Sequence, residues 1–243
     1  MFEKKMIEVL KSAQRVAVLT GAGISSESGI PTFRGKGGYW KNYKAEELAT
    51  PEAFNRDPAL VWSWYGMRRE VCHKAQPNPA HYILARMEEY YPNFLLITQN
   101  VDGLHRRAGN AKIVEIHGNI FHAKCKICDW KDEFLEIPLK KEIPNCPVCA
   151  SIIRPDIVWF GETYDDQKLI QSQSFLAKAD CILVIGTSAL ISVPVRLAMF
   201  SIAQGAYSIE LNPDSTSLSD RVDVSIRGKA GEILPEIWKD VQA

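Results

Sequence analysis

Two pairs of cysteines have the spacing of metal ligands. Cys125 and Cys128 form one Cys-x-x-Cys pair, Cys146 and Cys149 form the other, and the 17 residues 129–145 separate them. Four thiolates at this spacing can converge on one tetrahedral zinc ion. Because four sulfurs fill the coordination sphere, such a zinc is structural and any catalysis must lie elsewhere. Two disulfides, or four buried thiols, are the alternatives.

A glycine-rich turn at residues 21–29 directly follows the apolar segment 15–20. Small residues there allow the backbone to approach a pyrophosphate, while the N–H groups of the next helix face the anion. The turn departs from the GxGxxG pattern because Ser26 occupies the third glycine position, and no ribose-binding acid is clearly placed about 20 residues on. Dinucleotide binding and a tight structural turn are both consistent with this segment alone.

Polar residues follow two other apolar segments. Gln99, Asn100 and Asp102 come after segment 94–98, and polar groups at such a position are unfavourable unless water or a ligand satisfies them. His117 ends the next segment and could act as a general base near pH 7, or it could pack against the cysteine-containing segment. The remaining histidines are expected to be structural or surface residues, namely His73, His81, His105 and His122.

The elements that position these residues alternate between strand-like and helix-like segments. Several strand-like segments are apolar nearly throughout, as in strands that are covered on both faces. The alternation predicts an α/β fold, a doubly wound (Rossmann-like) parallel sheet with a small inserted zinc-binding module and a helical insert. The predicted strands are 15–20, 94–98, 112–116, 181–185, 207–211 and 222–226, and the predicted helices include 3–14, 58–74, 79–90, 165–178 and 192–204.

The predicted units follow from the polar, turn-rich segment that interrupts this alternation. A Rossmann-like unit comprises 1–34, 81–118 and 157–243, a helical insert with a cofactor loop comprises 35–80, and the zinc-binding module comprises 119–156.

Composition limits the classes of partner. Lys+Arg and Asp+Glu both total 29, so a net charge of zero gives no general attraction to nucleic acid or to anionic membranes. No apolar stretch approaches the roughly 20 residues that span a bilayer. The first residues lack the apolar core of a signal peptide, and Glu3 and Glu8 argue against a transit peptide. Cys72 and Cys181 have no obvious partners, which favours the cytoplasm.

Taken together, the motifs resemble the sirtuin family, the NAD-dependent protein lysine deacylases. The resemblance runs in order from about residue 12 to residue 230. The motifs that carry it are residues 21–34 (GAGISSESGIPTFR), 98–105 (TQNVDGLH), 117–118 and 186–188, Asn212 and the two Cys-x-x-Cys pairs.

The resemblance implies that NAD lies across the carboxyl edge of the sheet. Its phosphates would lie at residues 21–25 and Ser188, and Phe33 and Arg34 would belong to a loop that covers the nicotinamide ribose. Zinc would be structural. The implied NAD-binding residues are Gly21, Ala22, Gly23, Ser25, Ile30, Phe33, Arg34, Gln99, Asn100, Val101, Asp102, Gly186, Thr187, Ser188, Asn212 and Ala230.

The resemblance also implies a mechanism in which His117, Asn100 and Asp102 are catalytic. The acyl-lysine carbonyl oxygen attacks the ribose carbon as nicotinamide leaves, giving an alkylimidate. His117 then acts as a general base on the ribose hydroxyls, and the acyl group is released as O-acyl-ADP-ribose. Asn100 and Asp102 would line the nicotinamide pocket.

Acylated-lysine proteins are the implied substrates, and a monomer is expected. The acyl-lysine would thread between the sheet and the zinc module. Segment 158–162 resembles the family strand that pairs with the peptide backbone. The implied peptide-binding residues are Val158, Phe160, Gly161 and Glu162.

Tyr65 and Arg68 refine the expected acyl group. They stand at i and i+3 on a predicted helix, so both can face one pocket. An exposed helix, with Arg68 and Arg69 in solvent, is the alternative. Within the family the pair resembles the class III branch, in which it reads the distal carboxylate of succinyl-, malonyl- or glutaryl-lysine; Thr32 and residues 37–40 match that branch as well. We expect deacetylation alongside desuccinylation.

Two other functions compete with this interpretation. A mono-ADP-ribosyltransferase would make the same first bond cleavage and then pass ADP-ribose to a protein. A non-enzymatic zinc-ribbon module would hold NAD only as a regulator or sensor. The presence of Asn100, Asp102 and His117 together is difficult to explain if nothing reacts there.

Overall fold

The computed structural model describes residues 2–32, 39–40 and 43–243, with the backbone alone described at positions 39, 40 and 43. The strands of the described residues are β1 (Arg15–Thr20), β2 (Tyr39–Trp40), β3 (Tyr43–Lys44), β4 (Asn93–Thr98), β5 (Ile113–Glu115), β6 (Gly118–Cys125), β7 (Lys131–Glu133), β8 (Ile153–Ile157), β9 (Cys181–Ile185), β10 (Tyr207–Asn212) and β11 (Val224–Arg227). The helices are α1 (Lys4–Ser12), α2 (Gly23–Ser26), α3 (Ala45–Leu48), α4 (Pro51–Arg56), α5 (Pro58–Lys74), α6 (Pro79–Tyr90), α7 (Leu104–Ala108), α8 (Asp166–Leu176), α9 (Ser192–Ala203) and α10 (Ala230–Gln242).

Six strands form one parallel sheet in the order β11-β10-β9-β1-β4-β5. From β1 the chain builds the sheet outwards through β4 and β5, and later returns to the other side of β1 with β9, β10 and β11. The topological switch point therefore lies between β1 and β9, where open α/β sheets bind ligands at the carboxyl ends of their strands. The predicted doubly wound parallel sheet is confirmed.

Alternating side chains of the central strands enter two separate cores, because successive residues of a strand point to opposite faces. Val16 and Val18 of β1 pack in a core with residues of α1, α6 and α10. Ala17 and Leu19 pack in a second core with residues of α8 and α9. The sheet is thus covered on both faces, which explains its nearly continuous apolar strands.

Local capping signals explain why the predicted bounds of α5 and α6 match the structure. Asp57 and Asn78 accept backbone N–H groups of the first turns, and Pro58 and Pro79 occupy the first helical positions. The last strand begins later than predicted. Asp223 bonds to Ser208 instead of entering the ladder, so β11 begins at residue 224.

The zinc-binding module is built on a second, antiparallel sheet of three strands in the order β7-β6-β8. It extends from residue 118 to residue 157, one residue beyond each predicted bound. Gly118 has φ +87°, and a Cβ atom there would lie 2.0 Å from the carbonyl oxygen of Asp156, so only glycine fits where the chain enters this sheet. The proposed division into three units stays a prediction.

Helix α5 holds the three-stranded sheet through contacts to its backbone. Trp62 Nε1 donates to the carbonyl oxygen of Ile153 at 2.8 Å. The guanidinium of Arg69 donates to the carbonyl oxygens of Ile120 (3.0 Å), Phe134 and Glu136 (3.4 Å). Because Arg69 is fully buried, the alternative of a solvent-exposed helix face is wrong.

None of the helices formed by the described residues combines the length and the apolar character that crossing a membrane requires.

Candidate active site

A cleft of about 710 Å³ lies at the carboxyl ends of β1, β4, β5, β9 and β10. Its opposite wall includes residues 157–162, at and after the end of β8, and two residues of α5. The predicted site residues that line it are Gly21, Ala22, Gly23, Tyr65, Arg68, Gln99, Asn100, Val101, His117, Val158, Phe160, Gly161, Glu162, Gly186, Thr187, Ser188 and Asn212.

Several predicted site residues lie elsewhere. Ser25, Ile30, Asp102 and Ala230 are not among the described residues that line the cleft. Phe33 and Arg34, and with them residues 37–38 of the proposed class III signature, lie outside the described residues. The structure therefore leaves the proposed nicotinamide-ribose loop as a prediction.

The glycine turns after β1 and β9 cross in direct contact on the floor of the cleft. The N–H of Gly23 donates to the carbonyl oxygen of Gly186 at 2.7 Å. Gly186 has φ +61°, and a Cβ atom there would lie 2.4 Å from the backbone nitrogen of Ile24. Side chains are thus excluded at the crossing. The segment is a tight structural turn, and it also forms part of the cleft surface, where a ligand can approach bare backbone.

His117 lies in the cleft with both ring nitrogens engaged. Nδ1 lies 2.9 Å from the carbonyl oxygen of Gln99, and Nε2 lies 3.0 Å from the hydroxyl of Tyr164. Burial lowers the pKa of His117 below 6.5, and the positive charge of Lys168 lowers it further, although the hydrogen bond to Gln99 acts in the opposite direction. The imidazole is therefore neutral at pH 7, the state that a general base requires.

Asn100 connects the glycine turn to a buried carboxylate. Its Nδ2 donates to the carbonyl oxygen of Gly21 at 3.1 Å and to the hydroxyl of Ser25 at 3.0 Å. Asp102 hydrogen-bonds to Ser25 and accepts the N–H of Leu104 at 2.9 Å. Burial raises the pKa of Asp102 despite these bonds. Asp102 is therefore connected to the cleft-lining Asn100 through Ser25 and does not itself line the cleft.

The loop at residues 213–217 also lines the cleft. It is held by Glu210, whose carboxylate accepts the hydroxyl groups of Ser219 and Ser225 at 2.6 Å and the guanidinium of Arg227 at 3.1 Å. Thr216 of the loop bonds to the same carboxylate. Burial alone raises the pKa of Glu210, but these hydrogen bonds bring it below 4.5. The sequence signal for this role was Glu210 itself, an acidic residue within the otherwise largely apolar strand 207–211.

Segment 158–162 forms no strand ladder with the other described residues, and its pairing with a substrate peptide stays a prediction. Strand β8 ends at Ile157, and the next backbone N–H groups turn to other partners. The N–H of Val158 donates to the carbonyl oxygen of His117 at 2.9 Å, and that of Phe160 donates to Ala49 at 2.9 Å. These two donors are therefore already used within the chain.

Glu162 is fixed at the end of this segment. Its carboxylate pairs with the guanidinium of Arg154 through two nitrogen–oxygen contacts and accepts the backbone N–H of Trp159 at 2.9 Å. Burial alone raises the pKa of Glu162, but the Arg154 pair and the Trp159 N–H hold it below 4.5. Phe160, between these fixed residues, is 41% exposed.

Tyr65 and Arg68 both face the cleft, as their spacing predicted. The hydroxyl of Tyr65 accepts the indole N–H of Trp159 at 2.8 Å, and burial raises its pKa. The guanidinium carbon of Arg68 lies 4.5 Å from the ring centre of Trp64 and 5.3 Å from that of Tyr65. Arg68 is only 4% exposed, so a cation forms part of a largely buried wall.

Some lining residues were missed. Tyr164, Trp159, Leu190 and the small residues of α3 and its C-terminal end reach the cleft only because of how the chain folds between elements. Trp159 lies inside segment 158–162, whereas the other residues neither directly follow a predicted strand nor belong to a spaced motif.

The four cysteines of the two Cys-x-x-Cys pairs converge, as their spacing predicted. All four Sγ atoms lie within 4.8 Å of one another, with 3.5 Å between Cys125 and Cys149 and 3.6 Å between Cys128 and Cys146. A tetrahedral zinc with Zn–S bonds of about 2.3 Å places its sulfurs about 3.8 Å apart. A disulfide requires about 2.0 Å, so that alternative is wrong. The cluster fits a structural zinc ion.

The other histidines do not enter the cleft. His81 and His105 are buried, with ring centres 4.7 Å apart. His81 Nδ1 accepts the N–H of Asn78 at 3.3 Å, and His105 Nε2 lies 3.0 Å from the hydroxyl of Thr20. His73 is exposed and His122 is half-buried.

The fold and the site define a class, namely a doubly wound α/β protein with a ligand cleft at its switch point and an inserted four-cysteine module. A sequence model of the Sir2 family matches residues 21–193. The chain therefore belongs to the Sir2 family, the sirtuins.

Individual relatives cover nearly the whole chain. A protein of Leptospira interrogans serogroup Icterohaemorrhagiae serovar Lai (strain 56601), named NAD-dependent protein deacylase, is 49% identical over 232 residues, or 94% of this chain and 93% of that protein. A solved structure of a Sir2 homolog–NAD complex superposes with a TM-score of 0.95 at 41% identity, covering 100% of this chain and 94% of that one. A solved Sir2–p53 peptide–NAD+ complex gives a TM-score of 0.89 at 29% identity, with 99% and 98% covered.

Proposed function

We propose that this protein is an NAD-dependent protein lysine deacylase. The observation that carries the proposal is the geometry of His117, a neutral imidazole oriented by the carbonyl oxygen of Gln99 at the cleft of a Sir2-family fold. Relatives named NAD-dependent protein deacylase and a homolog solved with NAD support it.

The cleft fits NAD as co-substrate. The crossing of Gly21, Gly23 and Gly186 leaves a floor without side chains, which suits a pyrophosphate. NAD would supply the ribose carbon that is attacked, the nicotinamide that leaves and the ADP-ribose that receives the acyl group. Thr187, Ser188 and Asn212 would contact the phosphates and adenosine, and the loop anchored by Glu210 would close that end. Ile30, Phe33, Arg34, Val101 and Ala230 remain proposed NAD-binding residues.

The catalytic roles follow from the contacts of each residue. His117 would accept the proton of a ribose hydroxyl, because its Nδ1 already carries a hydrogen and only Nε2 has a lone pair. Asn100 would orient the nicotinamide end of the co-substrate from its position on Gly21 and Ser25. Asp102 would act indirectly: its hydrogen bond to Ser25 would hold the Ser25 hydroxyl, which in turn accepts the side-chain N–H of Asn100.

The four-cysteine cluster would hold zinc without a catalytic role. Four thiolates leave no open position for water, so the ion would stabilise the β7-β6-β8 sheet that forms one side of the cleft. We further propose that this module, the helical insert 35–80 and the Rossmann-like remainder are the three functional units.

The substrate would be an acylated-lysine protein bound along residues 158–162. Val158, Phe160, Gly161 and Glu162 line the cleft, and the exposed ring of Phe160 offers apolar surface to a peptide. The peptide bound in the related Sir2–p53 complex supports a substrate of this kind. A monomeric, cytoplasmic protein without a nucleic-acid partner stays a prediction.

The acyl group is proposed to include succinyl and malonyl in addition to acetyl. Tyr65 and Arg68 face the same part of the cleft, and their orientation is fixed by Trp159 and Trp64. A buried guanidinium and a phenol hydroxyl can together bind a distal carboxylate. Acetyl-lysine lacks this carboxylate and would bind without that contact.

Mass spectrometry of matched peptides tests the proposal. Acetyl-lysine and succinyl-lysine versions of one peptide are incubated with the protein, with and without NAD. We expect NAD-dependent loss of both groups, faster for succinyl, with O-acyl-ADP-ribose formed. Acetyl loss alone would contradict the dicarboxylyl assignment, and transfer of ADP-ribose to protein without deacylation would favour a mono-ADP-ribosyltransferase.

A further inference from the structure

The hydroxyl of Tyr164 is hydrogen-bonded to Nε2 of His117, the nitrogen that would accept a proton from the substrate. A carbonyl oxygen can only accept a hydrogen bond, so the contact with Gln99 places the ring hydrogen of His117 on Nδ1. Nε2 then carries the lone pair, and the hydroxyl of Tyr164 donates to it at 3.0 Å. Any proton that reaches this lone pair must either displace Tyr164 or pass through its oxygen.

The position of Tyr164 is fixed on both sides of the residue. Glu162, two residues earlier, is held by Arg154 and by the N–H of Trp159. Asp165, the next residue, caps α8 by accepting the N–H groups of Gln167 and Lys168 at 2.9 and 3.1 Å. The phenol ring also packs against the core that α8 and α9 form with the sheet. These contacts oppose displacement of the side chain from His117.

The hydroxyl of Tyr164 can still accept a hydrogen bond from the cleft. Tyr164 is half-buried and lines the cleft, and a hydroxyl that donates one hydrogen retains two lone pairs. Burial raises the pKa of Tyr164, although the charge of Arg196 acts against it, so the phenol holds its proton at pH 7 while His117 is neutral. The resting protonation states therefore match the start of a two-proton transfer.

We propose that Tyr164 is a proton-relay residue between a substrate hydroxyl in the cleft and Nε2 of His117. This rests on the proposed function, which supplies the ribose hydroxyl. The hydroxyl's O–H bond breaks and its proton passes to Oη of Tyr164, while the original phenol proton passes to Nε2. The ribose oxygen keeps the electron pair with which it attacks the acyl carbon. His117 becomes an imidazolium whose Nδ1–H remains bonded to Gln99.

The Tyr164→Phe variant tests the relay because it removes one oxygen and keeps the ring. Two reactions are measured with an acyl-lysine peptide: single-turnover deacylation, and exchange of labelled nicotinamide into NAD. Exchange reports only the first bond cleavage, which precedes the proton transfer. We expect Tyr164→Phe to slow deacylation at least about tenfold, since a positioned acid–base group contributes roughly 10²–10⁴-fold, and to leave exchange within about twofold.

A control and a second measurement separate the relay from a structural role. Tyr82→Phe removes the hydroxyl of an exposed tyrosine on α6 and should leave both reactions unchanged. In mixed H2O and D2O, the deacylation rate of the wild type should fall along a bowl-shaped curve, as two moving protons require, and that of Tyr164→Phe along a straight line. A straight line for the wild type contradicts the relay.

The outcomes distinguish two kinds of failure. Unchanged or faster deacylation by Tyr164→Phe, with exchange intact, overturns the relay and leaves the proposed function standing. If the wild type catalyses neither reaction, the proposed function itself fails. Equal loss of deacylation and exchange by Tyr164→Phe, or a lowered melting temperature that accounts for the loss, also contradicts a relay, because the hydroxyl would then act through structure.

Discussion

Arg68 is held in the cleft wall by aromatic rings that fix the direction of its guanidinium. Trp64 and Tyr65 lie within cation–π distance, and Tyr65 is itself tied to Trp159. Because the site is largely buried, a carboxylate ligand would interact with this cation more strongly than it would in water. A residue-scale consequence is that acyl selectivity should depend on one charge.

Replacing Arg68 by Met should lower kcat/KM for a succinyl-lysine peptide at least tenfold and leave acetyl-lysine within about threefold. A hydrogen bond to a charged group contributes about 1.5–3 kcal/mol, which corresponds to roughly 10- to 150-fold. Steady-state kinetics on both peptides give the ratio. Arg86→Met, at an exposed position of α6, is the matched control and should change neither value. Equal losses on the two substrates would remove the pocket assignment.

At the scale of elements, the cleft lies between the parallel sheet and the three-stranded sheet, and α5 holds the three-stranded sheet in position. Arg69 and Trp62 join this helix to the backbone of the three-stranded sheet, and the four cysteines close the far end of that sheet. Between residues 126 and 152 only Pro144 and Cys146 are buried, so this part of the module has few buried contacts to stabilise it. The metal should therefore contribute to the folding of the module directly.

The Cys125→Ser variant should lose the zinc and unfold at a lower temperature. Structural zinc sites contribute folding free energy, and a loss of several kcal/mol in a chain of this size lowers the melting temperature on the order of 10 °C. Metal content by atomic emission and thermal unfolding by circular dichroism measure both effects. Cys72→Ala changes a buried thiol outside the cluster and should keep its zinc. A stable, inactive Cys125→Ser protein would contradict a structural metal.

At the scale of the whole molecule, the buried histidines link folding to pH. Burial lowers the pKa of His81 to about 4, and burial and the neighbouring His81 lower that of His105 well below 6.5. His117 is shifted in the same direction. The unfolded chain binds protons at these histidines below about pH 6.5, whereas the folded chain binds them only at lower pH. Stability should therefore fall as the pH falls from about 6.5 towards 4.

Urea unfolding at pH 7, 6 and 5 should show this loss. Each histidine that stays neutral in the folded state contributes a slope of about 1.4 kcal/mol per pH unit once the unfolded histidine is protonated. His81→Gln should reduce the slope relative to His73→Gln, which alters an exposed histidine and should leave the slope unchanged. The linkage would be refuted by an unfolding free energy that stays constant between pH 7 and pH 5.

The parallel sheet and its flanking helices could be predicted because their sequence signals are local. Asp57-Pro58 and Asn78-Pro79 mark the starts of two helices, and uninterrupted apolar segments mark the buried strands. The cysteine cluster and the Tyr65–Arg68 pair followed from spacing. The contact between His117 and Tyr164 could not be predicted, because it joins residues 47 apart through a loop with no repeating pattern. The bond from the Phe160 N–H to the carbonyl oxygen of Ala49 could not be predicted either, because it joins two loops that are far apart in the sequence.

The way in which Arg69 holds the zinc-binding module has a consequence for sequence variation. Its guanidinium bonds to main-chain oxygens of residues 120, 134 and 136, and every amino acid presents that oxygen. Apart from Gly118, the cysteines and Phe134, whose ring packs on Arg69, side chains of β6, β7 and the segment between the cysteine pairs can therefore change without loss of these hydrogen bonds. A module exchanged from a relative should dock on α5 as long as its backbone path and its four cysteines are kept, so peptide preference could diversify while the reaction centre stays constant.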